Sequence, residues 1–247
     1  MSNTIIYYVF SALAVLIVLT VHEFSHGYVA YKLGDNTAKS MGRLTLNPIK
    51  HLDPIGALCL VIFHFGWAKP VPVNIRNFKK PKRDFAIVAV AGPISNLIIA
   101  FLSAFLYLLL YALLKDIKFT SNFLYQLASN TLLFVNLFHI INIGIGIFNL
   151  IPVPPLDGSR VLNALLPPKA YYAVLKHEKK IYLILLFWLL FGSYISAFLL
   201  SFSFVSSNPI LSFIAKFFSL SGMLSDAISF VSRAMMAFWE LIPFLKV

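Results

Sequence analysis

Residues 5–21, IIYYVFSALAVLIVLTV, hold no charged group, and comparable apolar runs return along the whole chain. A run of about 18 or more such residues can cross the roughly 30 Å hydrocarbon layer of a bilayer. Inside that layer no water is at hand for backbone N–H and C=O groups, so a chain of this kind is confined there to helices. The residue balance agrees, with 60% hydrophobic and 12% charged against about a quarter charged in soluble domains. The expected fold is an all-α polytopic membrane protein of about five to six transmembrane helices, a single membrane-embedded domain over residues 1–247. No basic segment precedes residues 5–21 and no small-residue cleavage site comes after them, so they read as a retained helix rather than a secretory leader.

The net charge of +11 does not point to nucleic acid, because Lys and Arg sit between apolar runs and describe a topology instead. Ten of the twenty lie from Lys32 to Arg83, two at Lys115 and Lys118, and five from Arg160 to Lys180. Basic loops stay in the cytoplasm. The first and third of these connections are therefore expected there, and the amino terminus on the other side, in a cell membrane of bacterial type. One cysteine, Cys59, rules out an intramolecular disulfide and a cysteine-rich metal site.

The coarse pattern predicts core helices at about 5–33, 84–114 and 123–150, the first closed by Gly34. Accessory helices are expected at about 181–245: one span to about residue 204, then another near 224–245 behind a short interfacial segment. Between residues 35 and 83 the helical pattern breaks. GALCLVIFHFGWAKPVPVNIRN carries β-rich runs with prolines at 70 and 72, which predicts an edge strand or β-hairpin at the membrane surface.

An ionisable group at membrane depth costs at least about 2.5 kcal/mol, so those that persist call for a reason. His22, Glu23 and His26 form H-E-x-x-H at the end of the first apolar run. On a helix the two histidines share a face and can reach one ion, with the carboxylate beside it. Zinc in such a place acidifies water toward about pH 7, and a neighbouring carboxylate can take the proton as a carbonyl is attacked. A catalytic zinc site takes three protein ligands. NLIPVPPLDGSRV offers one in Asp157, where three prolines forbid helix; an ordinary Asp-Gly turn explains the same residues, and both readings stand on sequence alone.

These stretches, with NPIKHLDPIG, GWAKPVPVN, AGPISN and FNLIPVPPLDG in order from about residue 20 to 160, resemble the site-2 protease family of intramembrane zinc metalloproteases, in its short form without a PDZ or CBS domain. The resemblance implies His22, His26 and Asp157 as ligands of one Zn2+ per chain and Glu23 as general base. It also implies a core of three helices, further helices gating entry, and transmembrane segments of other proteins as substrates. Asn96 of AGPISN is expected to offer its amide to the tetrahedral oxyanion, or else to bond across helices.

The remaining polar groups divide between site and scaffold. Asn136, His139, Asn142, Gly146 and Asn149 form one helical stripe, either a water path or glue between helices. His51 and Asp53 are candidates to support the ligands, while His64 and His177 are expected to be structural. Residues from Val71 to Ile75 are expected to pair with extended substrate by strand addition, because a helical substrate must be unwound before its carbonyl is reached. Asp226, Arg233 and Glu240, seven apart, mark an interfacial helix face. The function expected is an intramembrane zinc endopeptidase embedded in the lipid bilayer, its site nearer the cytoplasm; a metal-binding membrane transporter is the alternative.

Overall fold

The computed structural model describes residues 3–56 and 68–246. Its long helices are α1 (Asn3–Lys32), α2 (Pro81–Leu114), α3 (Asn122–Leu150) and α5 (Pro168–Ser201), with the short α4 (Asp157–Leu165) between the last two. α6 (Pro209–Phe217) and α7 (Leu220–Trp239) come next, bent by 96° at their junction. Among the described residues four helices are long and apolar enough to cross a membrane, and a fifth span results if the bent pair counts as one. The protein is all-α and polytopic, at or just below the expected helix number.

Each boundary has a local cause. Proline occupies the first helical positions of α2 and α5, where its missing N–H costs nothing. Ser121 caps α3 by accepting from the Phe123 N–H. α1 closes with Asp35 N–H donating to Ala30 O and Gly34 N–H to Tyr31 O, the paired bonds of a Schellman end. α5 begins thirteen residues before the expected 181, because the basic stretch from Lys169 to Lys180 contains no helix breaker and continues the helix beyond its apolar part.

α1, α2 and α3 pack on one another, α4 lies against α2 and α3, and α7 leans on the outer side of α2 and α3. Small residues allow the close approach that membrane helices need. Ala14, Val18, His22, His26 and Ala30 make one buried line along α1, each four residues from the next, so the histidines belong to the face that meets α2. Outward faces, such as Ile98, Leu102 and Leu106 on α2, are exposed and apolar, as a lipid-facing surface requires.

The expected β-hairpin is not seen among the described residues. They contain one isolated antiparallel bridge, Leu52 to Ala68, and no strand. Residues 57–67, with Cys59 and His64, lie outside them. The prolines at 70 and 72 remove two of the N–H groups a ladder would need, and the chain beyond Ala68 runs as an extended segment tied down by side chains.

Candidate metal centre

The buried line of α1 brings two histidines to face a carboxylate from the start of α4. His22 Nε2 and His26 Nε2 are 3.0 Å apart, and Asp157 Oδ2 lies 3.1 Å from the first and 3.3 Å from the second. Asp157 arrives at the first residue of α4, after an extended turn through Pro152, Pro154 and Pro155. Two features aim it. Leu156 is buried with Leu185 of α5 and Leu220 of α7. A Cβ on Gly158 would fall 2.2 Å from Leu150 O, so only glycine lets α4 start hard against the end of α3.

The other nitrogen of each imidazole settles what the ring offers inward. His26 Nδ1–H donates to the Val88 carbonyl at 2.7 Å, and His22 Nδ1–H donates to Asn96 Oδ1 at 2.6 Å. With both protons on Nδ1, both Nε2 lone pairs face the carboxylate, so three acceptor atoms meet with no proton between them. Such a set is drawn together by a cation. Tetrahedral zinc with bonds of about 2.0–2.1 Å keeps its ligand atoms roughly 3.3 Å apart, and the observed triangle has nearly those sides. Gly92 of α2 supplies the room: a Cβ there would sit 2.5 Å from His26 Nε2 and 2.7 Å from His22 Nε2. The donor set and its cradle fit zinc.

Glu23 does not join the triangle. One residue on from His22 it points about 100° around the helix, where its Oε2 accepts the Val71 N–H at 2.8 Å. That bond ties the site to the extended segment. The same segment is fixed by Lys69 N–H to His51 O (2.8 Å) and by the Arg43 guanidinium on the Lys69 and Pro70 carbonyls (2.8 and 3.2 Å). At its far end Asn74 N–H donates to Asp35 Oδ2 at 2.7 Å. The Val73 N–H and the Val71 and Val73 carbonyls have no partner among the described residues.

Asp35, just past α1, is buried and also accepts from the Thr37 N–H and hydroxyl and from the Asn77 amide. Burial pushes its carboxyl up, but the hydrogen bonds from Thr37, Asn74 and Asn77 outweigh this and hold it below the usual carboxylate range. In the unfolded chain it returns to about 4. Its contribution to stability is therefore present above about pH 4 and lost as pH falls through the lower folded value. Asp35→Asn is expected to lower the apparent melting temperature by a few degrees at pH 7, with the gap to wild type narrowing below about pH 4; thermal melts at the two pH values check this.

Other expectations fare differently. Asn96 is fully buried; its amide nitrogen donates to Asn142 Oδ1 at 3.0 Å and lies 3.5 Å from Val18 O, which is bonding across helices, the second of its two expected roles. Its oxygen serves His22. On the α3 stripe His139 bonds to Ala100 O and Ser232 Oγ and so joins helices, while Asn149 donates to Ile145 O within its own turn. His51 bonds to Thr45 O and Asp53 accepts from Gly56 N–H, both within the loop and away from the ligands. Arg233 Nε reaches Ser229 O, and no ion pair joins it to Asp226 or Glu240 among the described residues. Sequence reasoning missed the room that Gly92 gives the two imidazoles, although it stands four residues before Asn96 and so on the same face. It also missed the pairing of Glu23 with Val71, which no pattern announces.

Comparison with known proteins agrees with this geometry. Residues 10–193 match the model of peptidase family M50. YwhC of Bacillus subtilis, whose name places it among zinc metalloproteases, is 45% identical over 168 residues, 66% of this chain and 74% of that protein. Rip2 of Mycolicibacterium smegmatis, named likewise, is 29% identical over 163 residues, 64% of this chain and 58% of the relative. The zinc metalloprotease MJ0392 of Methanocaldococcus jannaschii is 31% identical over 181 residues, 72% of this chain and 40% of the relative. No solved structure matches.

Proposed function

The chain belongs to peptidase family M50 and is a zinc metalloprotease, and on that premise we propose that it cuts peptide bonds in or beside the transmembrane segments of other membrane proteins. The observation that carries this is the depth of the triangle. His22 and His26 lie on the buried line of an apolar 30-residue helix, a place where a ligand set serves a substrate that is itself within the bilayer.

His22, His26 and Asp157 hold one zinc, which when bound supplies Lewis acidity and brings water toward a pKa of about 7. Glu23 is the general base: its carboxylate stands beside the triangle with one oxygen held by the Val71 N–H, which fixes the direction in which the other accepts a proton. Asn96 positions His22. The Leu156 cluster, packed on α5 and α7, keeps Asp157 in reach.

Substrate docks in extended form along residues 71–75. Pro70 and Pro72 lack N–H groups and the Val71 N–H is committed, so the Val73 N–H and the carbonyls at 71 and 73 are what this edge offers. Val73→Pro removes that donor. Cleavage is expected to fall by a few-fold to about tenfold, the worth of one backbone hydrogen bond of about 0.5–1.5 kcal/mol; unchanged processing by a folded variant rules out docking here.

The amino terminus lies outside a bacterial cell membrane and the zinc site nearer the cytoplasm, a reading that the basic connections support. Cleavage there releases a cytoplasmic fragment, which suits regulated proteolysis or clearance of signal-peptide remnants. A metal transporter would need polar groups forming a path through several spans, whereas His139 and Asn149 are engaged with neighbouring helices and their own turn. The test is co-expression of the wild-type and Glu23→Gln chains with a tagged single-span protein, its cleavage monitored by immunoblot.

A further inference from the structure

We propose that Asn142 is a positioning residue for the zinc site, acting through Asn96 to hold His22 in the only tautomer that can bind metal. This rests on the reading of His22, His26 and Asp157 as the ligands.

The two histidines get their tautomers by different routes. A backbone carbonyl can only accept, so Val88 O at 2.7 Å obliges His26 to carry its proton on Nδ1 and leave Nε2 free. His22 has no such partner. Its Nδ1 faces Asn96, and a side-chain amide presents an acceptor or a donor according to which way it is turned. Turned the other way, the Asn96 NH2 group would donate to Nδ1, the ring proton would move to Nε2, and His22 would have no lone pair to give.

Asn142 decides the matter. Its Nδ2 donates to the Phe138 carbonyl at 2.8 Å, one turn back along α3. That carbonyl can only accept, so Asn142 must turn its Oδ1 toward α2, where it accepts from Asn96 Nδ2 at 3.0 Å. Val18 O, 3.5 Å from the same nitrogen, favours the same sense. Asn96 Oδ1 is then left facing His22 Nδ1. One backbone carbonyl thus fixes two amides and an imidazole in series, across α3, α2 and α1. Both asparagines are fully buried, so no solvent is at hand to substitute for a missing partner. Support of this kind beneath a metal-binding histidine is worth about 10- to 100-fold in affinity.

Zinc affinity of the purified full chain, measured by competition with a chromophoric chelator, tests the relay without reference to activity. Asn142→Leu leaves Asn96 free to turn and is expected to weaken zinc about 10- to 100-fold. Asn142→Asp, as the carboxylic acid, can donate through its O–H to Phe138 O and accept from Asn96 with its other oxygen; it is expected to stay within about threefold of wild type. Asn96→Asp added to Asn142→Leu restores affinity, because a carboxylate accepts whichever way it turns. Unchanged affinity in Asn142→Leu overturns the proposal, as does an equal loss in Asn142→Asp or a failure of Asn96→Asp to restore. A wild-type chain that holds no stoichiometric zinc overturns the ligand assignment itself, which separates the two failures. If Asn142→Leu does not fold, the comparison of Asn142→Asp with wild type carries the decision.

Discussion

Glu23→Gln keeps its zinc and loses its hydrolysis. The amide has the size of the carboxylate and still has an oxygen to accept the Val71 N–H, so the 2.8 Å bond that places it survives. What disappears is the capacity to take a proton. General-base contributions run to about 10²–10⁴-fold, so the tagged fragment is expected to fall below detection on the immunoblot while metal content per chain stays at wild type. Cleavage that survives the substitution removes Glu23 from the chemistry. Zinc lost with the activity would mean that the carboxylate belongs to the ligand set, which its direction on α1 argues against.

Gly92→Ala is expected to do the reverse, emptying the site of a chain that stays folded. Alanine favours helix over glycine by up to about 1 kcal/mol, so the backbone of α2 tolerates the change. The added Cβ would lie 2.5 Å from His26 Nε2 and 2.7 Å from His22 Nε2, closer than atoms can stand. Both rings must swing away, and they cannot do so without giving up Val88 O and Asn96. Ligand distances in a metal site hold to within about 0.2 Å, so rings displaced this far no longer bind zinc together. Metal analysis after gel filtration checks this. Gly144→Ala is the control, since its Cβ meets only the Ile228 side chain at 3.3 Å and zinc is expected to be unchanged.

The sequence alone placed α1, α2 and α3 to within a few residues, because apolar length and a flanking serine or proline are local facts. It also singled out His22, Glu23, His26 and Asp157, because charged groups in an apolar run stand out. Less of the rest is local. Asn142 looks the same as any polar residue that glues membrane helices, and only the direction of its bond to Phe138 O separates it from His139 on the same stripe. Asn96 has two roles open to it in the sequence because a lone amide does not declare which end is used; a residue 46 positions later decides which way it turns. The bend between α6 and α7 also escaped, since it depends on Trp188 and Gly192 of α5. The indole N–H donates to Phe218 O, and the absent Cβ lets that carbonyl approach.

The extended segment beside Glu23 has a kinetic consequence. A strand that met a full ladder of donors would zip along it and leave slowly. Here two prolines and one committed N–H leave Val73 as the free donor among residues 70–73, so in the docking proposed above an unwound substrate would meet one donor and the carbonyls at 71 and 73. So few bonds would hold for too short a time to retain a product once the chain is cut. A mooring of this kind would favour turnover over grip.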